Sequence, residues 1–337
     1  MAAVSVWFQF LVCAGLIWAA GTRLSRYGDV IAEKMGLSRS WVGLILMASV
    51  TSLPELVTGV SAVTLAQSPD IALGDALGSC VFNLLLITML DFLQRGESVF
   101  TRASQGHILS AGFGVILIGF VGFSVLLGGK GAMPTLFHVG ISSPIIVVLY
   151  AVAMRTVFRY ERRQFAAYAE ESVERYPRVQ LRQALVRYAF AAVVVMGAGT
   201  FLPLVGEEIA EMTGWQRTFV GTLLIALATS IPEVVVTIAA LRLGALDMAI
   251  ANLLGSNLFD ILIVAIDDLF FLPGPILAHA SPLHAVSSFS AVMMTGVTIV
   301  GLLYRPRTRL FGAVGWASLL LFSVYLLNTY ILFLHAE

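Results

Sequence analysis

The chain has 337 residues, of which 58% are hydrophobic and 12% are charged, and its mean hydropathy is +0.91. A soluble domain has about 25% charged residues, so this chain has too little polar surface to cover a water-soluble globule. That composition excludes a cytosolic enzyme, a nucleic-acid-binding protein and a disordered chain. The 20 basic residues balance the 20 acidic ones, so net charge indicates no polyanionic partner.

About ten stretches are long and apolar enough to cross a bilayer, which takes roughly 20 residues. In chain order they are 4–22, 41–66, 71–93, 106–128, 139–158, 184–205, 217–240, 247–271, 283–304 and 311–334. The first has no basic segment before it, so we interpret it as a membrane helix and not as a cleaved signal peptide. The stretches are too long, and too free of alternating polar residues, for a β-barrel. The predicted fold is therefore an all-α polytopic membrane protein.

The basic residues support this count of spans. The odd-numbered connections contain almost all Lys and Arg residues outside the spans, whereas the even-numbered ones contain only Lys130 and Arg217. Basic residues are concentrated in cytoplasmic connections, so both termini are predicted to lie outside.

A charged stretch at 159–182 divides the chain into two halves of five spans, 1–158 and 183–337. We interpret it as a solvated cytoplasmic linker. A regulatory or lipid-contacting role stays open, since basic residues near a membrane are attracted to anionic headgroups.

The two halves carry the same pair of motifs. The first half has TSLPELVTGV at 51–60 and GDALGSCVFNLLLI at 74–87, and the second has TSIPEVVVTI at 229–238 and ANLLGSNLFDILIV at 251–264. Because each half has an odd number of spans, the second copy enters the membrane from the opposite side. The sequence thus predicts two inverted five-helix repeats, an arrangement that places a substrate site near the bilayer midplane.

Two glutamates, Glu55 and Glu233, lie inside apolar spans, where an acid is a candidate functional residue because its burial is costly. The alternative is a protonated or salt-bridged carboxyl that holds helices together, but no Lys or Arg lies in a span core to pair with it. Pro54 and Pro232 precede these glutamates and are expected to kink the helices, leaving the carbonyls of Val50 and Ala228 unpaired.

Further oxygen-bearing side chains accompany the glutamates. Hydroxyls come from Thr51, Ser52, Thr229 and Ser230. Two helix faces add residues at i, i+4 and i+8, namely Asp75, Ser79 and Asn83 in the third span and Asn252, Ser256 and Asp260 in the eighth. An all-oxygen set suits hard cations such as Ca²⁺ or Na⁺. Cys13 and Cys80 form neither a disulfide framework nor a zinc motif, and no cofactor is expected.

The charges of this set indicate exchange. Glu55, Glu233 and Asp260 supply up to three negative charges, and Asp75 would add a fourth. One divalent ion or several monovalent ions could neutralise them, but hardly both at once. Sharing of the ligands would then enforce antiport.

At the paired TS-[LI]-PE and GS-xxx-[ND] motifs the chain resembles the cation/Ca²⁺ antiporter superfamily, and specifically its Na⁺/Ca²⁺ exchanger-like prokaryotic members. The resemblance implies a Ca²⁺/Na⁺ antiporter, not an enzyme, in a prokaryotic plasma membrane. It implies Ca²⁺ ligation by Glu55 and Glu233 with Thr51 and Thr229, and sliding of spans 1 and 6 against the other eight. It further implies Na⁺ sites at Ser52, Ser79, Ser230, Ser256 and the carbonyls of Ala48 and Ala226, with Asn83 and Asp260 completing the middle.

The chain departs from the family pattern at five positions. Val50, Ala228 and Ala251 stand where glycine is usual, and Asp75 and Cys80 stand where asparagine is usual. The GNxxE motif of the proton-coupled branch is absent, which favours Na⁺ coupling.

Other functions stay in competition. Proton coupling remains open because a carboxylate can exchange a proton for a cation, and Mn²⁺ or another divalent ion could be the substrate. The run Leu73-Gly74-Asp75 suggests an intramembrane aspartyl protease, but Ala72 replaces the glycine that motif needs and no Tyr-Asp pair accompanies it. A passive channel would also use oxygen-lined sites.

Overall fold

The computed structural model describes residues 2–94, 96–128, 134–168, 176–213, 229–306, 309–310 and 314–334. The long helices are α1 (Ala2–Met35), α4 (Leu53–Thr64), α5 (Pro69–Leu93), α7 (His107–Gly128), α8 (Ser142–Tyr168), α9 (Leu181–Thr213), α10 (Ile231–Arg242), α11 (Leu246–Phe270), α13 (His284–Tyr304) and α14 (Trp316–Leu334). Short helices are α2 (Arg39–Val42), α3 (Ala48–Thr51), α6 (Val99–Arg102) and α12 (Ile276–His279), with a π-helical turn at Gly43–Met47.

Two small antiparallel hairpins complete the described structure. β1 (Thr135–Leu136) pairs with β2 (Val139–Gly140) before α8, and β3 (Arg309–Leu310) pairs with β4 (Val314–Gly315) before α14. Each hairpin thus precedes the last helix of its half, as expected when the two halves repeat one structure.

Within the described residues, eight helices are long and apolar enough to cross a membrane. The number becomes nine when Arg39–Thr51 and Leu53–Thr64, which meet at a bend of 41°, are counted as one span. The predicted span 217–240 falls partly on residues 214–228, outside the described part, so the count of ten stays a prediction.

Some span boundaries differ from the predicted ones. α1 was expected to end at residue 22, but it continues through Arg23 and Arg26 to Met35. The first part of the predicted linker, 159–168, continues helix α8. Both extensions contain many charged residues, which a hydropathy scan assigns to loops although such residues form helices readily.

Glycine ends two of these helices. Gly36 follows α1 with φ +62°, and Gly244 lies just after α10 with φ +72°. In each case a backbone N–H one residue later returns to the helix, Leu37 N to Ala32 O and Ala245 N to Ala240 O, both at 2.9 Å. These are left-handed C-terminal caps, which glycine adopts without steric cost.

The helices pack in pairs that relate the two halves. α1 packs against α9, α5 against α11 and α7 against α13. The two helices of each pair are equivalent, since they hold the same position in their respective halves. α11 is the most buried of the spans, and α5 and α11 cross at the centre of the bundle.

Candidate cation site

The site is built around the starts of helices α4 and α10. Ser52 leaves the helical conformation at φ −88° and ψ 10°, and Ser230 does so at φ −83° and ψ 1°. α4 and α10 then begin, with Pro54 and Pro232 in their first turns. A proline there removes an N–H that would have no helical partner. The predicted break is confirmed in the first half, where Arg39–Thr51 and Leu53–Thr64 meet at a bend of 41°. In the second half, residues 214–228, Ala228 among them, lie outside the described part of the chain.

Four side chains bring unpartnered oxygen atoms to the centre. Glu55, Asn83, Glu233 and Asp260 are each at most 2% exposed. Among the described residues, no hydrogen-bond donor reaches Glu55 Oε2, Asn83 Oδ1, Glu233 Oε2 or Asp260 Oδ1. Buried polar groups are normally hydrogen-bonded, so each such atom calls for a partner such as an ion or water.

Hydroxyl groups surround one of these carboxylates. Ser52 Oγ donates to Glu233 Oε1 at 3.3 Å, and Ser256 Oγ donates to the same oxygen at 3.5 Å. Ser52 belongs to the first repeat and Glu233 to the second. The glutamate of one repeat is therefore held by the hydroxyl of the other.

Other hydroxyls link the two repeats. Thr51 Oγ1 lies 3.5 Å from Ser256 Oγ, and Ser79 Oγ lies 3.4 Å from Ser230 Oγ. Thr51 Oγ1 also donates to the carbonyl of Ala48 at 3.3 Å. This places hydroxyl oxygens from both repeats and one backbone carbonyl at the same level.

The structure brings most of the predicted site residues together. Direct contacts form one chain through Ala48, Thr51, Ser256, Glu233 and Ser52. A separate contact joins Ser79 to Ser230. Glu55 interacts electrostatically with Glu233 and Asp260. Asn83 lies one turn from Ser79 on α5, and Thr229 contacts Asp75. Ala226 lies outside the described residues.

Asp75 is part of this cluster and not a helix-end residue. It lies beyond the first turn of α5, is 3% exposed, and accepts a hydrogen bond from Thr229 Oγ1 at 3.2 Å.

Sequence reasoning did not assign Asn257 to the site. Its Nδ2 donates to the carbonyl of Cys80 at 3.2 Å, and Cys80 Sγ lies 3.8 Å from Asp260 Oδ2. Cys80 and Asn257 follow the serine of the GS motif in their respective repeats, so the two equivalent residues meet between α5 and α11. That shared motif position was the signal that could have identified Asn257.

Two further buried aspartates, also missed, fix the helices around the site. Asp91 accepts hydrogen bonds from Ser98 Oγ, Val99 N, Gly315 N and Ser318 Oγ at 2.8–2.9 Å. Asp268 accepts from Gly140 N, Ser143 Oγ and Ile276 N at 2.5–2.9 Å. We call these carboxylates the crossed clamps, because Asp91 of the first repeat holds α14 and Asp268 of the second holds α8. The two aspartates are 177 residues apart, the same separation as Ser79 and Ser256, and this equivalence in the repeat could have identified them.

Among the described residues, no group of three or more His, Cys, Asp and Glu side chains is arranged to hold a metal ion. The oxygens at the centre are a mixture of carboxylates, hydroxyls, an amide and a carbonyl. Such a mixed set suits a hard cation.

A family model described as sodium/calcium exchanger protein matches residues 5–164 and 183–334. The chain belongs to this family. The two matched segments correspond to the two halves, and the family places the chain among the membrane transporters that carry out cation/Ca²⁺ antiport.

Named relatives cover most of the chain. Inner membrane protein YrbG of Escherichia coli (strain K12) is 26% identical, over 86% of this chain and 86% of that protein. Sodium/calcium exchanger MaX1 of Methanosarcina acetivorans is 28% identical, over 72% and 77%. Ca(2+)/H(+) antiporter ChaA of Bacillus subtilis (strain 168) is 26% identical, over 75% and 74%.

A solved structure shares the fold. It is the sodium-calcium exchanger NCX_Mj soaked with 10 mM Na⁺ and zero Ca²⁺, which superposes with a TM-score of 0.73 over 97% of this chain and 98% of that one, at 21% identity. The chain is thus an integral multi-pass membrane protein with the exchanger fold.

Proposed function

We propose that this family member exchanges Ca²⁺ for Na⁺ by alternating access through the central site. The observation that carries the proposal is a set of buried oxygens, reached by no donor among the described residues, on Glu55, Glu233, Asn83 and Asp260. Ca²⁺ takes six to eight oxygen ligands, and carboxylates and carbonyls are among those it prefers. The relative named as a sodium/calcium exchanger supports Na⁺ as the counter-ion.

The ligands divide by their chemistry. Glu55 and Glu233 with the hydroxyls of Thr51 and Thr229 would hold Ca²⁺. The Na⁺ ligands would be Ser52, Ser79, Ser230 and Ser256, with the carbonyls of Ala48 and Ala226. An empty site would leave close carboxylates uncompensated in the membrane, which is costly. Only the protein with Ca²⁺ or Na⁺ bound would then change conformation. Each inward movement of one ion would therefore be followed by outward movement of the other, which is exchange.

Proton coupling is the second candidate. Glu55, Glu233, Asp75 and Asp260 interact electrostatically as like charges, so a proton on one of them could replace a bound cation. The relative named as a Ca(2+)/H(+) antiporter keeps this alternative in view.

Flux measurements separate the two. Purified protein in proteoliposomes should take up ⁴⁵Ca²⁺ when a Na⁺ gradient is imposed and should show little uptake with a pH gradient alone. Uptake driven only by the pH gradient would establish proton coupling at the same site. Absence of Ca²⁺ flux under both gradients, in folded protein, would contradict the proposal and direct the assay to Mn²⁺ and other divalent ions.

Alternating access would involve sliding of α1 and α9. These two helices pack together, and α9 meets the starts of α4 and α10 at Gly199. A Cβ at Gly199 would lie 2.6 Å from Pro54 Cγ and 3.3 Å from Pro232 Cγ. Gly199 thus rests on both prolines that start the site helices.

Gly199→Val is expected to reduce turnover roughly 10-fold or more, because overpacking of about 1–3 kcal/mol would oppose movement past the rigid proline rings. Gly197→Val is the matched control, since nothing lies within 4 Å of a Cβ there. Initial rates of ⁴⁵Ca²⁺ exchange measure both. Equal rates in the two variants would contradict this role for Gly199.

A further inference from the structure

A second acidic group lies one to two helical turns from the central site. Asp75 precedes Ser79 by four residues on α5, and Asp267 follows Asp260 by seven on α11. Gly59 follows Glu55 by four on α4. Each therefore shares a helix face with a central residue. We call Gly59, Asp75 and Asp267 the outer layer.

The outer layer lies toward a single face of the membrane. α4 ends and α5 begins at the connection 65–68, and α11 ends on the same side. Ser281 N donates to Asp70 Oδ1 at 2.6 Å, and His284 Nε2 lies 3.0 Å from it, which joins the start of α13 to the start of α5. The distribution of basic residues predicts that this face is outside.

Asp267 has no partner in the described structure. It is 0% exposed, and no donor among the described residues reaches either carboxylate oxygen. The carboxylate faces Gly59, where a Cβ would lie 2.8 Å from Oδ1, so only glycine leaves it room. Asp75 Oδ2 is also buried and unpartnered. Isolated buried carboxylates are very costly in a membrane unless a positive charge accompanies them.

Asp75 connects this layer to the central site. It lies on α5, which packs against α11, the helix of Asp267, and its charge acts on both Asp267 and Glu233. Its other oxygen accepts from Thr229, so a hydroxyl lies between the two levels. A cation at the outer layer would be adjacent to the central ligands.

The repeat does not reproduce this layer on the opposite face. The positions equivalent to Gly59, Asp75 and Asp267 are Thr237, Asn252 and Leu90. Asn252 Nδ2 donates to Thr237 Oγ1 at 3.2 Å, so these two positions carry neutral groups joined by a hydrogen bond. The acidic pair is therefore not required by the scaffold and distinguishes one side of the site from the other.

We propose that Asp75 and Asp267, with the hydroxyl of Thr229, form an outer binding site for Ca²⁺ on its way between this face and the central site. Two carboxylates and a hydroxyl are a hard-oxygen set, and their charge of −2 matches one divalent ion. The role of this site in transport rests on the proposed exchange function, whereas binding of the ion does not.

Calorimetric titration with Ca²⁺ tests the binding itself. In the double variant Glu55→Gln/Glu233→Gln, whose central site is disabled, one weaker Ca²⁺ binding event is expected to remain. Adding Asp267→Asn or Asp75→Asn should abolish it. Adding Asp70→Asn should not, since Asp70 lies on the same face but is half exposed and pairs with His284. No residual binding, or binding that survives both outer-layer changes, would overturn the proposal.

Sided flux tests the role in transport. Asp267→Asn should raise the KM for Ca²⁺ applied from the outer face about 10-fold, more than it lowers turnover, and should leave the KM from the other face unchanged. Asp70→Asn is again the control. An equal change from both faces, or none, would contradict an outer site. If the unaltered protein carries no Ca²⁺, the proposed function fails, and calorimetry alone decides whether the outer site exists.

Discussion

Glu55→Gln and Glu233→Gln are each expected to abolish Ca²⁺ exchange. Both side chains are buried, and each has one oxygen that no donor in the described part of the chain reaches. Removing one charged partner from a buried ionic contact costs about 3–5 kcal/mol, which is roughly 10²- to 10⁴-fold in affinity. The amide is nearly the same size as the carboxyl, so the loss should come from charge and not from packing.

Uptake of ⁴⁵Ca²⁺ in proteoliposomes, with thermal unfolding measured in parallel, distinguishes loss of transport from loss of folding. Glu97→Gln makes the same chemical change at an exposed position and should transport normally. Normal exchange by either Glu55→Gln or Glu233→Gln would disprove the assignment of the central site.

Asp268→Asn is expected to cause a large loss of stability, whereas Asp267→Asn at the next residue should cause little. Asp268 accepts three hydrogen bonds, two of them from the backbone N–H groups of Gly140 and Ile276. An amide would turn its NH₂ group toward one of these donors, and each unsatisfied buried group costs about 1–3 kcal/mol. Among the described residues no donor reaches Asp267, so asparagine loses no hydrogen bond at this position.

Thermal unfolding in detergent without Ca²⁺ measures the difference. The midpoint should fall by about 5 °C or more for Asp268→Asn and by less than about 2 °C for Asp267→Asn. The equivalent clamp, Asp91→Asn, should resemble Asp268→Asn because its carboxylate accepts four hydrogen bonds. Similar midpoints for Asp267→Asn and Asp268→Asn would contradict the role of the clamps.

The crossed clamps connect the two repeats through buried hydrogen bonds. Asp91 accepts hydrogen bonds from Gly315, just before α14, and from Ser318 in its first turn. Asp268 likewise accepts from Gly140, just before α8, and from Ser143 in its first turn. Each repeat thus anchors the last helix of the other. The clamps lie outside α1 and α9, the pair proposed to move, and so would hold the remaining helices together during exchange.

Local sequence was enough for the class of protein, the repeat and most central residues. Apolar runs of bilayer length require helices, since a backbone in lipid must satisfy its own hydrogen bonds. The two Pro-Glu pairs indicated where the backbone departs from helical geometry, at Ser52 and Ser230, because proline lacks the N–H that a continuous helix would use. The identical order of motifs in both halves indicated that their oxygens meet.

Only the tertiary structure decided which of the remaining acids pair and which do not. Asp267 and Asp268 are neighbours in an apolar span, yet one faces Gly59 without a donor and the other holds α8 through three hydrogen bonds. Helical geometry turns consecutive residues about 100° apart, so each meets a different neighbouring helix. Sequence sets that angle, but the identity of the neighbour depends on how helices far apart in the chain pack, and only the folded bundle determines that.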